Sequence, residues 1–336
     1  MSSQTCKRLD YMDIAKGLGI LCVIAGHMSN ERINCVIFSF HMPLFFLISG
    51  YFLSARLTPQ EIFKKRCRQL LKPYFITCLA VLLLSDLKCL FGIFTARHTW
   101  KDLSSETLHW LYASLYGAGS AHEAPFPIVP IGAIWFLLAL IWGCFFVQIA
   151  RNRKMPAIHI LCIALLGYFS SKLIWLPWSI QAAMTASVFI YIGLLLKNHN
   201  FLEHASVPVF LFLLVIWILE IIHGYPYLSI VKNFYPNGIF DFIGSAAGSI
   251  CIILMIKHCQ EHLPLHAVWK AGKWLGENSL TILCFHLVEL NVVPWNTLLN
   301  FIHFPDHRYL TVLLLKILWS VGGTLVWNAL RGRKKT

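Results

Sequence analysis

Two residues eleven positions apart carry the first chemistry in this chain. In "DYMDIAKGLGILCVIAGHM", residues 10–28, Lys16 and His27 stand in an otherwise mostly apolar run. On a helix, at about 100° and 1.5 Å per residue, they fall within roughly 20° of one face and about 16 Å apart along the axis. A lysine holds an anion. An imidazole takes a proton from a hydroxyl, or carries a group covalently. Asp13, three residues before Lys16, can neutralise its charge. The plainer alternative is a snorkelling lysine and an interfacial histidine.

A second histidine, His41, opens the run "HMPLFFLISGYFL", with Pro43 one turn in and Ser49 and Gly50 deeper. The short link between the two runs brings His27 and His41 to one level. A third lies in "WLGENSLTILCFHLVELNVVPW", residues 274–295, where Asn278 and Ser279 start a helix. Here His286 and Glu289 are three apart, so the carboxylate can orient and charge the imidazole. An interfacial His41 and a structural His286–Glu289 pair are the simpler readings of each. Ionisable residues within apolar runs usually face a bundle interior and are functional candidates. Glu220 and Asp241 are two more, and need partners.

The elements that must position these residues are membrane helices. The 336 residues are 57% hydrophobic and only 13% charged, about half the charged fraction of a soluble domain. Ten candidate spans appear, at about 14–30, 35–53, 73–94, 131–150, 157–173, 180–197, 205–223, 237–257, 279–296 and 309–330. We expect an all-α, polytopic transmembrane helical bundle of about ten spans. It forms a single integral-membrane domain over 1–336, with short cytoplasmic tails at 1–12 and 331–336. The first span is rich in glycine (Gly17, Gly19, Gly26), which suits close packing inside the bundle. It reads as a retained helix, since Lys16 interrupts it and no small-residue cleavage site precedes it.

Orientation follows from lysine and arginine. With the N-terminus inside, the inner pieces hold Lys7 and Arg8, then Arg56, Lys64, Lys65, Arg66, Arg68 and Lys72. Further along they hold Arg151, Arg153 and Lys154, Lys197, then Lys257, Lys270 and Lys273, and finally Arg331, Arg333, Lys334 and Lys335. The outer pieces hold only Arg32, Arg97, Lys101, Lys172, Lys232 and Arg308. Both termini are therefore expected in the cytoplasm. The formal net charge of +13 reflects these short segments; no nucleic-acid motif accompanies it. Eleven cysteines without a C-x-x-C pair read as small buried hydrophobes, neither disulfides nor a metal site.

One inner loop has structure of its own. In "TPQEIFKKRCRQLLKPYF", residues 58–75, Thr58 and Glu61 make a capping box with Pro59 at the first helical position. Ile62, Phe63, Leu70 and Leu71 share one side and four basic residues the others, the pattern of an interfacial helix. Its cations bind headgroups, or form a rim for an anionic cytoplasmic ligand. The longest outer connection, about 95–130, is aromatic (Trp100, Trp110, Tyr112, Tyr116) and either lies on the membrane or offers faces to sugar rings.

Five stretches, in order, resemble one family. "DIAKGLGILCVIAGH" (13–27) is similar to a first-helix motif with a basic residue, ten others, then histidine. "FHMPLFFLISGYFL" (40–53), "KKRCRQLLKPYF" (64–75), "WFLLAL" (135–140) and "LGENSLTILCFH" (275–286) follow. Together they resemble the integral-membrane acyltransferase-3 group, in its fucose 4-O-acetylase-related branch of stand-alone polysaccharide O-acetyltransferases. Lys16 stands where the wider family usually has arginine, which keeps the charge but not the bidentate fork. No soluble hydrolase-like domain accompanies the membrane part, which implies transfer alone or with a separate partner.

The resemblance implies acyl transfer, most simply acetyl from cytoplasmic acetyl-CoA, to a hydroxyl of a lipid-linked or cell-surface glycan in a bacterial plasma membrane. Its partners are then acyl-CoA, the glycan acceptor and membrane lipids, with no nucleic acid and no metal. His27, His41, His286 and Glu289 are the candidate catalytic residues. Lys16, Lys65, Arg66 and Arg68 are the candidate donor-binding residues. His27 acts as base or as acyl carrier. The alternative is an exporter of a glycan or lipid-linked intermediate, although the two matching halves usual in transporters are not visible. A third reading, a membrane amino-acid or peptide acyltransferase, differs in acceptor alone.

Overall fold

The computed structural model describes residues 9–298, apart from Ser29, Ala124 and Asn296, and residues 308–332. Lys7, Arg8, Arg333, Lys334 and Lys335, and with them most of both expected tails, lie outside the described residues. The architecture is an all-α membrane bundle. Helices α1 (Asp10–Gly26), α2 (Glu31–Phe38), α3 (His41–Tyr51) and α4 (Pro59–Phe94) come first, followed by α5 (Trp100–Tyr116), α6 (Trp135–Ala150) and α7 (Pro156–Ser170). Then come α8 (Ile180–Asn198), the short α9 (Phe201–His204), α10 (Val207–His223) and α11 (Ile239–His262). The chain closes with α12 (His266–Glu277), α13 (Ser279–Val292) and α14 (Arg308–Gly332). Every apolar run read from the sequence coincides with one of these helices or with a pair. Among the described residues, five helical stretches are long and apolar enough to cross a membrane: 31–51, 59–94, 177–198, 239–262 and 309–332.

The outer helices turn apolar side chains outward. Leu79, Leu83, Leu87 and Phe91 of α4 are exposed, as are Leu314, Leu318, Leu325 and Val326 of α14. In water such faces would be liabilities; in a bilayer they are the solvated surface. Where α1 meets α12 the packing is close instead. Gly17 of α1 meets the backbone carbonyl of Gly272, and Gly276 meets that of Asp13. A Cβ at either would collide with backbone, so α1 and α12 pack backbone against backbone at these glycines. An ion pair, Lys273 to Asp10 at 2.7 Å, fastens the ends of the two helices together.

The structure differs from the sequence reading at four places. The second apolar run is two helices, broken at Ser39–Phe40, where Phe40 leaves helical geometry (φ −141°, ψ −29°). Tertiary bonds stabilise the break: the Ser249 hydroxyl donates to the Phe40 carbonyl at 3.2 Å and Trp217 Nε1 to Ser39 Oγ at 2.8 Å. The interfacial helix from Pro59 does not end before the third span. It continues through Pro73 as one 36-residue helix, about 54 Å long. The outer connection holds a full helix, α5, started by a capping box of Thr99 with Asp102. The segment with Lys270 and Lys273 is also helical, as α12. The expected Thr58–Glu61 capping box is present, with Pro59 at the first turn. Ile62 and Leu70 are buried, while Phe63 and Leu71 are half-buried.

Glu220 of α10 and Asp241 of α11 pair with each other, and Asp241 also accepts from Asn237 N at 2.9 Å and Asn237 Nδ2 at 3.1 Å. Gly244, lacking a Cβ, makes room for the Glu220 side chain.

Candidate active site

A cavity of about 350 Å³ lies in the middle of the bundle. One of its walls is a single stripe of α1: Lys16, Ile20, Val23 and His27. Their spacing of four, three and four residues is that of one helical face. Lys16 and His27 thus address the same space, separated by about 16 Å of helix rise. Lys16 is held by Asp13 at 2.6 Å. His27, capping the end of α1, is open to the cavity it lines.

Helix α3 supplies His41, Phe45 and Ser49, again four apart. The break between α2 and α3 is what sets His41. As the first residue of α3, it reaches back so that its Nδ1 lies 2.7 Å from the Ile37 carbonyl at the end of α2. A carbonyl can only accept, so Nδ1 carries the proton, and in the neutral form of the ring Nε2 is an acceptor. Such a ring can orient a hydroxyl but cannot polarise a carbonyl without an added proton.

His286 stands behind His27, with ring centroids 5.2 Å apart and planes 46° from parallel. It is fully buried, and its Nδ1 donates to Glu289 Oε2 at 2.9 Å. Its Nε2 is buried and has no hydrogen-bond partner among the described residues. The other Glu289 oxygen accepts from Trp295 Nε1 at 2.9 Å and from the Lys316 ammonium of α14. Lys316, on the last helix, is the residue the sequence reading missed. A lone lysine in "LLLKILW" is the same signal as Lys16 in α1, an intramembrane charge, and its partner was already in view. The sequence reading had Glu289 charging His286. In the structure a lysine compensates the carboxylate, so orienting the ring does not require an imidazolium. A chain of contacts therefore runs Lys316, Glu289, His286, His27.

The expected donor-binding residues divide. Lys16 and Arg66 line the cavity, Arg66 half-buried on α4. Lys65 is exposed on the same helix and does not line it. Arg68 is exposed and lines a separate groove with Lys72. The cavity thus has the Lys16 cation at one end of the α1 stripe and imidazoles, His27 and His41, towards the other, with Arg66 a second cation in its lining. Between them lie apolar walls, including Phe45, Phe136 and Leu140. Chemically, this suits an elongated ligand with an anionic end and a reactive end that needs a base.

The chain matches a family model described as an acyltransferase domain, acyltransferase 3, over residues 9–330. No curated protein and no solved structure matches it.

Proposed function

Because the chain belongs to the acyltransferase 3 family, a premise that makes it a membrane acyltransferase, we propose that it moves acetyl from acetyl-CoA to a hydroxyl of a lipid-linked or cell-surface glycan. The observation that carries this reading is the single α1 stripe, with Lys16 and His27 opening on one cavity. Lys16 and Arg66 hold the donor's phosphates, and Lys65 adds long-range attraction from the exposed side of α4. The pantetheine arm runs past Ile20 and Val23, and about 16 Å of rise matches its task of delivering a thioester to His27.

His27 takes the proton of the acceptor hydroxyl as its oxygen attacks the thioester carbonyl. The tetrahedral adduct collapses, the carbon–sulfur bond breaks, and the departing thiolate recovers the proton from His27. His41, through Nε2, accepts a hydrogen bond from the acceptor and orients it. His286, backed by Glu289 and Lys316, supports the ring of His27 from the protein side. Exposed aromatics of α5, Trp100 and Tyr112, offer faces on which sugar rings stack. The lysine and arginine bias supports both termini cytoplasmic and about ten crossings in one domain, and the resemblance implies a bacterial plasma membrane.

Membrane vesicles given labelled acetyl-CoA test the reading. Label is expected in the glycan fraction, and His27→Ala should abolish it while the protein stays in the membrane. Undiminished transfer by His27→Ala removes His27 from the chemistry. Glycan movement that proceeds without any acyl donor makes the chain an exporter.

A further inference from the structure

A second concavity, of about 430 Å³, lies on the outside of the bundle between α4, α13 and α14. Helix α13 has two stripes. The inner one, with His286 and Glu289, is buried in the site. The outer one, with Leu280, Cys284 and Val288, floors this groove. One side is a ridge of α4 in steps of four: Arg68, Lys72, Ile76 and Ala80. The other side is Trp327 and Arg331, one turn apart on α14.

Charge is gathered at one end. Arg68 and Lys72 begin the α4 ridge, and Arg331 lies in the last turn of α14. The Arg331 guanidinium stands over the Trp327 ring at 5.2 Å, which fixes its position at the mouth of the groove. All three cations are exposed, and among the described residues no acidic side chain pairs with any of them. Beyond them the groove continues for two turns of α4 between mostly apolar walls, with Ile76, Ala80, Phe285 and Val288 beside Thr77 and Thr281. Its flanking helices turn their exposed leucines to the membrane, so the groove opens to lipid.

We propose that this groove binds an anionic phospholipid of the surrounding leaflet. The phosphate sits among Arg68, Lys72 and Arg331, and one acyl chain lies along Ile76, Ala80 and Val288. A free anion would use the cations but not the apolar length; a neutral lipid would use the length but leave three cations uncompensated. The site also touches the reaction cavity, because Leu280 lines both. A bound chain therefore rests against the wall of the proposed active site and steadies the start of α13. The inference stands on the groove alone and does not depend on which acyl group or acceptor the cavity takes.

Native mass spectrometry of the full chain, released from mixed bilayers of phosphatidylglycerol and phosphatidylcholine in equal parts, reads this directly. Phosphatidylglycerol adducts should dominate. The triple variant Arg68→Gln, Lys72→Gln, Arg331→Gln should lose that preference by on the order of a hundredfold, given three surface cations acting on one headgroup. Ala80→Trp, which fills the apolar length and keeps every cation, should remove the adduct as well. Inorganic phosphate alone should neither bind detectably nor raise the thermal midpoint, whereas phosphatidylglycerol vesicles should raise it. Equal retention of the two lipids, an unchanged preference in the triple variant, or full occupancy by inorganic phosphate would each overturn the proposal.

Discussion

Glu289, itself without exposed surface, accepts from three donors at once, the His286 ring, the Trp295 indole and the Lys316 ammonium. Removing one partner of such a pair leaves the other charge buried alone, at a cost of about 3–5 kcal/mol, while removing both charges together costs far less. Lys316→Met should therefore lower the thermal midpoint sharply in detergent. The double variant Lys316→Met, Glu289→Gln should recover most of that loss, giving a large coupling energy in the cycle. Activity should not recover with it, because Glu289→Gln loosens His286 behind His27. Additive stability losses would mean that the two charges do not share one network.

Lys16 makes a different demand. Its partner Asp13 keeps it in place, and its proposed work is to meet a phosphate. Lys16→Ala should raise KM for the acyl donor with a smaller effect on kcat, and Lys16→Arg should be tolerated since the charge remains. At this scale the sequence was informative wherever a polar residue interrupts an apolar run: Lys16, His27, His41, His286 and Glu289 were all visible that way. Lys316 was equally visible but has no nearby partner in sequence; its mate lies on α13, and only the packing of α14 against α13 joins them.

Among the elements, the α1–α12 contact is the tightest constraint on the site, since α1 carries both Lys16 and His27. Gly276→Ala puts a methyl into the backbone of Asp13. We expect a loss of about 1–3 kcal/mol as the helices separate, and a raised donor KM as Asp13 and Lys16 shift. Gly322→Ala, in α14 where nothing lies within 4 Å, should be neutral or stabilising, by up to about 1 kcal/mol. Equal thermal midpoints for the two variants would deny that α12 buttresses α1.

The start of α5 is pH-sensitive in a defined direction. Thr99 N and Oγ1 both donate to Asp102 Oδ2, at 2.7 and 2.8 Å, and these bonds hold the Asp102 carboxyl below its ordinary range. A depressed pKa in the folded state means stabilisation present above the ordinary value and lost as pH falls through the depressed one. Protection of the first-turn amides of α5 against hydrogen exchange should fall on acidification. Thr99→Ala, which keeps the backbone donor but loses both Oγ1 bonds, should lower it already at neutral pH. Of the two capping boxes, only Thr58–Glu61 was read from the sequence, because Asp102 is shorter than the glutamate that marks the usual pattern. The break at Ser39–Phe40 was not readable at all: Ser249 and Trp217, which satisfy it, come from α11 and α10.

For the whole molecule, charge and length give different counts of the crossings. The alternation of lysine and arginine asks for about ten, with both ends inside. Among the described residues, length admits five helical stretches readily, while α6, α7, α10 and α13 are apolar but shorter. Helix α7, with 15 residues, rises about 22 Å against a hydrocarbon core of about 30 Å. A short helix can still cross where the bilayer thins or where its flanking residues snorkel, and α7 has Arg153 and Lys154 before it and Lys172 after it. Charge, not length, should decide its topology, since a lysine-rich loop resists translocation and a short helix costs only fractions of a kcal/mol per Å of mismatch. Single cysteines at Lys154, Lys172 and Lys197, in a background stripped of reactive native thiols, should react with a membrane-impermeant maleimide in alternation. Lys172→Cys should label from outside in intact cells, and Lys154→Cys and Lys197→Cys only after permeabilisation. If all three positions label from one side, α7 and α8 form a re-entrant pair, and the lysines around them mark an interface and not a crossing.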